Sequence, residues 1–127
     1  MRASTIMLVD DDADDQLFFL DAINAIDKSL RCDVANNGLE AMAQLNKASL
    51  PGIIFLDLNM PKMNGYECLQ QIKKSDVLKQ IPVIIFTTTN NPKEAERTRQ
   101  MGAYRFLTKT SDFKKLKLQL GEILQTI

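Results

Sequence analysis

The sequence predicts an α/β domain of the doubly wound kind, a five-stranded parallel sheet covered by helices on both faces. Two observations carry this. First, apolar runs of strand length alternate with stretches of helical periodicity, with no repeat, low-complexity tract or Gly/Ser linker between them. Five strand-helix units in strict alternation require a parallel sheet with right-handed crossovers. Second, the apolar runs end alike, in residues that can do chemistry. Ile6-Met7-Leu8-Val9 runs into Asp10-Asp11-Asp12, and Ile53-Ile54-Phe55-Leu56 into Asp57. Val83-Ile84-Ile85-Phe86 runs into Thr87-Thr88, and Tyr104-Arg105-Phe106-Leu107-Thr108 into Lys109.

The elements follow in order. After the first strand, Asp12 can cap a helix with Asp14 and Asp15 in its first turn and Phe19, Leu20, Ile23 and Ile26 on its apolar face. Residues 30–35 form a short second strand, and Asn36-Asn37-Gly38 turns into a helix marked by Leu39, Met42 and Leu45. Pro51-Gly52 resets the chain for the third strand, and residues 65–74 form a helix that buries Leu69 and Ile72. Pro82 opens the fourth strand. Asn90-Asn91-Pro92 caps the fourth helix, whose apolar stripe is only Ala95, Thr98 and Met101 before Gly102 stops it. So thin a stripe predicts a helix that is loosely held and available to move or to bind. The last helix is firmer, with Ser111 as its cap and Phe113, Leu116, Leu120, Ile123, Leu124 and Ile127 at helical spacing.

Composition narrows the function. A chain of 127 residues is long enough for one domain with a real core and too short for two, so residues 1–127 are expected to be a single unit without an output domain. Sixteen basic residues balance sixteen acidic ones, so the electrostatic footprint of a direct nucleic-acid binder is missing. Cys32 and Cys68 lie far apart and no His completes a zinc site, so both are expected to be reduced and to fill or flank the core. The N-terminus leads into a strand too short for a signal h-region or a membrane span, which predicts a cytoplasmic protein.

In a doubly wound sheet the ligand site lies off the carboxyl ends of the strands, where the winding direction reverses. Asp10, Asp57, Thr87 and Lys109 are 47, 30 and 22 residues apart, which corresponds to two strand-helix units, one and one. Each therefore falls at a strand's carboxyl end. Carboxylates about 4 Å apart repel by roughly 4 kcal/mol at an effective dielectric of about 20, so such a cluster is normally there for a cation. Oxygen ligands without His or a suitable Cys select a hard ion such as Mg²⁺. One carboxylate can then attack a phosphoryl group while the metal and a lysine neutralise its oxygens, with Thr87 offering a hydroxyl to a third oxygen.

With these motifs in place the whole chain resembles a bacterial response-regulator receiver domain of two-component signalling, similar in size and layout to the chemotaxis regulator. The resemblance rests on four signals in order: Leu8-Val9-Asp10-Asp11-Asp12, the run from Leu56-Asp57-Leu58-Asn59-Met60-Pro61 to Gly65, Pro82-Val83-Ile84-Ile85-Phe86-Thr87-Thr88, and Phe106-Leu107-Thr108-Lys109. It implies a flavodoxin-like sheet of strand order 2-1-3-4-5. It also implies that Asp57 is the phosphoacceptor. Asp11, the Asp57 carboxylate and the Asn59 main-chain carbonyl would be direct Mg²⁺ ligands, and Asp10 would hold metal waters. Lys109 would contact the phosphoryl group, Thr87 would swing to bind it, and Phe106 would change rotamer in response; Asp12 stays a helix cap.

The resemblance further implies a sensor histidine kinase or histidine phosphotransfer protein as donor, a downstream protein target, no membrane partner, and a monomer or weak dimer. Output is expected through the fourth helix, the fifth strand and the outer side of the last helix, where Lys114, Lys115, Lys117 and Leu118 stand. One departure concerns the site lysine, which the family usually follows with a cis-bonded Pro and this chain follows with Thr110. Either a cis bond costing about 2.5 to 4 kcal/mol persists, or the loop runs trans and Lys109 is placed differently. Two other readings compete. A haloacid-dehalogenase-type phosphatase or phosphotransferase wants a second Asp where Asn59 stands, and a degenerate receiver would act by binding alone.

Overall fold

The apolar runs become strands and the periodic stretches become helices. The computed structural model describes residues 5–47 and 49–126, as β1 (Thr5–Val9), α1 (Ala13–Ile26), β2 (Arg31–Ala35), α2 (Gly38–Leu45), β3 (Ile53–Leu56), α3 (Gly65–Lys74), β4 (Val83–Thr87), α4 (Pro92–Gln100), β5 (Arg105–Thr108) and α5 (Phe113–Thr126). The expected Ile127 position and the first four residues lie outside that description. The strands form one parallel sheet in the order β2-β1-β3-β4-β5, as the resemblance implied. The chain moves outward from β1 to β2 and returns to β3 on the other side of β1. The carboxyl ends of β1 and β3 therefore flank the point where the winding reverses.

Alternate strand residues feed two cores. Ile6, Leu8, Ile53, Phe55, Ile84 and Phe86 face α1 and α5, where Phe19 meets Phe55 at 5.0 Å and Phe86 at 5.6 Å between ring centroids. Met7, Val9, Ile54, Leu56 and Ile85 face α2 and α3, with Leu69 and Ile72 fully buried. Continuous apolar runs such as Ile53–Leu56 are what a strand buried on both faces needs. Cys68 lies in this second core and Cys32 flanks the first, and burial pushes both thiols up to about 12. They are inert packing groups at neutral pH.

Helix starts are set by side-chain caps. Asp12 accepts from the Asp15 backbone N–H, Asn37 from Glu40, and Asn64 forms a reciprocal capping box with Glu67. Asn91 caps α4 with Pro92 in its first turn, and Gly102 ends that helix at φ 104°, in the left-handed region that glycine adopts without a Cβ penalty. Two expectations need correction. The cap of α5 is Asp112 rather than Ser111, because the Asp112 carboxylate accepts from the Lys115 N–H at 3.2 Å while its carbonyl accepts from Leu116. Leu39 is 53% exposed, since the buried face of α2 runs through Gly38, Ala41 and Leu45, with Met42 at its margin. Among the described residues no helix is long and apolar enough to cross a membrane.

Candidate functional site

Each site residue arrives on backbone that the sheet has already positioned. The Asp10 N–H donates to the Ala35 carbonyl and the Asp57 N–H to the Val9 carbonyl, both at 3.0 Å, so the sheet hydrogen bonding extends into the first residue of each loop. Thr87 pairs in register with Thr108, and the Lys109 N–H donates to the Thr87 carbonyl at 2.7 Å. The loop after Asp57 folds back tightly. The Gly65 N–H donates to the Leu58 carbonyl, and a Cβ on Gly65 would stand 2.2 Å from the Asp57 carbonyl oxygen. Glycine is required there by close approach, and Lys62 and Met63 take left-handed backbone to make the turn.

The expected residues converge. Asp10, Asp11 and Asp57 can each offer one oxygen within 4.8 Å of the others. Asp10 is fully buried, Asp57 is 7% exposed, and Asp11 faces solvent. The Lys109 ammonium stands 2.8 Å from Asp10 Oδ2, 2.9 Å from Asp15 Oδ2 and 3.2 Å from Asp57 Oδ2. Burial raises the Asp10 carboxyl above the usual range, against the pull of Lys109 and of the Asp12 N–H. Burial alone would lower Lys109, but the carboxylates of Asp10, Asp15 and Asp57 outweigh it and raise the ammonium well above its ordinary value. Among the described residues every peptide bond is trans, Lys109–Thr110 included, and the lysine still reaches Asp57.

Thr87 is fully buried, and its hydroxyl has no hydrogen-bond partner among the described residues. An unpartnered buried hydroxyl costs about 1–3 kcal/mol, which makes Thr87 a donor in want of an acceptor. Among the described residues Asp10 Oδ2 likewise has no aligned hydrogen bond, only the ion pair to Lys109. Asn59 is exposed, and its N–H points to Asp57 Oδ1 at a long 3.4 Å. Phe106, on β5, is half-buried against the core and lines a groove of about 270 Å³ between α4 and β5 with Ala95, Thr98 and Tyr104.

Sequence reasoning missed two contributors. Asp15 was assigned to the helix start, yet it also binds the site lysine, a contact that only the packing of α1 beside the β5–α5 loop creates. Gln16 donates to the Asp10 carbonyl at 2.6 Å and to Asn36 at 2.9 Å, and so ties the first loop to the second. The fourth helix buries only Thr98, as its thin stripe predicted. It also has a polar anchor that no apolar pattern reveals: Tyr66 of α3 donates to Glu94 at 2.9 Å and carries the Arg97 guanidinium 4.0 Å above its ring.

A carboxylate on a sheet edge, flanked by a hard-cation ligand set, a lysine and an unpartnered hydroxyl, defines the class: a protein that can accept a phosphoryl group on its own side chain. The response regulator receiver domain family model matches residues 6–120, and the chain belongs to that family. It is 32% identical over 117 residues to the response regulator Rcp1 of Synechocystis, which spans 87% of this chain and 80% of Rcp1. The crystal structure of the Mn²⁺-bound form of Rcp1 superposes with a TM-score of 0.85 at 30% identity, covering 98% of this chain and 96% of that one. That of the phosphorylated cyanobacterial phytochrome response regulator RcpA gives 0.86 at 30% identity, covering 94% and 90%. The regulator ycf29 of Porphyra purpurea is 38% identical over 91 residues, 72% of this chain but only 43% of its own length. The chain is a phosphoacceptor signalling switch, not an enzyme acting on a separate substrate.

Proposed function

We propose that Asp57 is the phosphoacceptor of this switch, that Mg²⁺ is its metal, and that a histidine kinase or histidine phosphotransfer protein is its donor. One observation carries the assignment: the Asp57 carboxylate belongs both to the three-carboxylate set and, at 3.2 Å, to the lysine. An Asp57 oxygen attacks phosphorus, the P–N bond to the donor histidine breaks, and the histidine leaves with the electron pair and takes up a proton. Asp11, Asp57 and the Asn59 carbonyl would hold Mg²⁺, with Asp10 behind them through water. The donor set suits a hard divalent ion, because it is all oxygen and one buried carboxylate oxygen lacks an aligned hydrogen bond. Bound there, the ion would neutralise charge on the transferring group. Lys109 takes a second phosphoryl oxygen, and the Thr87 hydroxyl a third.

Asn59 speaks against the phosphatase reading, which needs an acid at that position. The degenerate-receiver reading is weakened by the trans Lys109–Thr110 bond, since the lysine reaches the site without a cis turn. Acetyl phosphate with Mg²⁺ is expected to place one alkali- and hydroxylamine-labile phosphoryl group on the protein, with no multiple turnover on phosphomonoesters. No labelling would leave the binding-only reading ahead, and turnover on phosphomonoesters would favour the phosphatase.

Drawing Thr87 towards the phosphoryl group vacates space beside β4 that Phe106, opposite Ile85 in the register, can enter. The response should concentrate in α4 and β5, because α4 has so little apolar anchoring and about 1.4 kcal/mol changes a conformer ratio tenfold. The exposed Lys115 extends this output face onto α5 towards a downstream protein, whereas Lys114, Lys117 and Leu118, expected on the same face, line a groove with Ala25 and Ile26 of α1. Hydrogen exchange with and without beryllofluoride is expected to change across residues 90–106; changes confined to α1 and α2 would sink the route. We place the protein in the cytoplasm, where such donors act, as a single unit over residues 1–127 and a monomer or weak dimer.

A further inference from the structure

We propose that Asp15 is a placeholder for the phosphoryl group: it occupies one donor of Lys109 in the resting protein and is the carboxylate that the lysine releases when the phosphoryl oxygen arrives. The inference rests on Asp57 being the acceptor. An ammonium has three N–H donors, and three carboxylates surround that of Lys109, at 2.8 Å from Asp10, 2.9 Å from Asp15 and 3.2 Å from Asp57. Lys109 donates aligned hydrogen bonds to Asp15 and Asp57, so a phosphoryl oxygen arriving on Asp57 competes with these carboxylates for the ammonium. Asp57 is the group being modified and stays in place. The Asp10 side chain is 0% exposed and has no path into bulk water, so it keeps its place beside the lysine. Asp15 differs from both, since its side chain is 41% exposed and can rehydrate as it leaves.

Two further features fit displacement. Asp15 lies outside the three-carboxylate set, so its departure leaves the metal ligands untouched. It also lines, with Asp14, Phe18, Thr88, Lys109 and Thr110, an open groove of about 420 Å³ that gives the carboxylate somewhere to go. The contact therefore raises the barrier to phosphorylation in two ways, by occupying a donor and by placing a negative charge beside the incoming anion. Asp15 is a positioning residue, acting through the lysine.

The test measures beryllofluoride affinity in excess Mg²⁺, and Mg²⁺ affinity alone, by calorimetry. Asp15→Asn is expected to bind beryllofluoride about tenfold more tightly, the change produced by removing one unit charge a few ångströms from an anion in a half-exposed site. Its Mg²⁺ affinity should not rise, whereas a merely structural defect would weaken the binding of both. Asp14→Asn removes the same charge from another residue of that groove, one that makes no ion pair to Lys109 among the described residues, and is expected to tighten binding by clearly less. Equal or weaker beryllofluoride binding by Asp15→Asn overturns the proposal, as does equal tightening by Asp14→Asn, which would assign the effect to the general field. If the unsubstituted protein binds no beryllofluoride with Mg²⁺, the phosphoacceptor reading itself fails and this inference with it.

Discussion

Asp57→Asn should abolish phosphorylation by acetyl phosphate and by the cognate donor, with a fall of at least about 10³-fold in labelling rate, because the nucleophile itself is removed. The other acids cannot stand in. Asp10 is fully buried and faces Lys109, so no donor can line up behind it. Asp11 is exposed and makes no ion pair to the lysine among the described residues, and Asp15 touches the lysine but lies outside the metal set. Only Asp57 combines access, cation and ammonium. The amide is nearly isosteric and keeps an oxygen for Lys109, so the circular dichroism spectrum should not change. Intact-mass detection of full labelling in the variant would move the acceptor elsewhere.

Lys109→Met should destabilise the metal-free protein by about 3 kcal/mol at pH 7, because it leaves the fully buried Asp10 carboxylate without its countercharge. Methionine fills much the same volume, so the loss is electrostatic rather than a cavity effect. The pH dependence follows from the direction of the Asp10 shift. Burial already raises that carboxyl above its ordinary value of 3.8, and Lys109 is the main group holding it down. Without the lysine its folded pKa climbs further above the unfolded value, and the folded state binds the proton more tightly. The variant should therefore recover stability as pH falls through that raised pKa towards 3.8, where both states are protonated. Mg²⁺ should recover part of the loss at pH 7 by supplying positive charge. Urea melts at pH 7 and pH 5, with and without Mg²⁺, measure all of this. A loss that neither acid nor Mg²⁺ relieves would show that the lysine's contribution is packing and not charge.

Much of the molecule was legible in the chain because its signals are local. The alternation of apolar runs and helical stripes, the caps at Asp12 and Asn91, and the stop at Gly102 are each decided within a few residues. Parallel topology then carries Asp10, Asp57, Thr87 and Lys109 to one edge wherever the strands end, so their spacing foretold the cluster. The cap of α5 was misread for a local reason. Ser111 and Asp112 are both good caps, and which of them serves depends on the exit angle of the loop after Lys109.

What only the tertiary structure decided are the contacts between elements distant in sequence. Leu39 carries the hydrophobicity of a core residue, but the close approach of α2 to the α3 loop, where the Gly38 N–H meets the Met63 carbonyl, rotates it into solvent. The Tyr66–Glu94 bond anchors a helix whose sequence offers almost nothing apolar. Asp15 shows the limit most clearly. In the sequence it is a favourable charge at a helix start; in the fold it is 2.9 Å from an ammonium 94 residues away. Periodicity reports which face of an element is buried, because hydrophobic burial is non-directional and summed over many residues. A charge pair depends on a few tenths of an ångström between two particular atoms, and only the packed elements fix that distance.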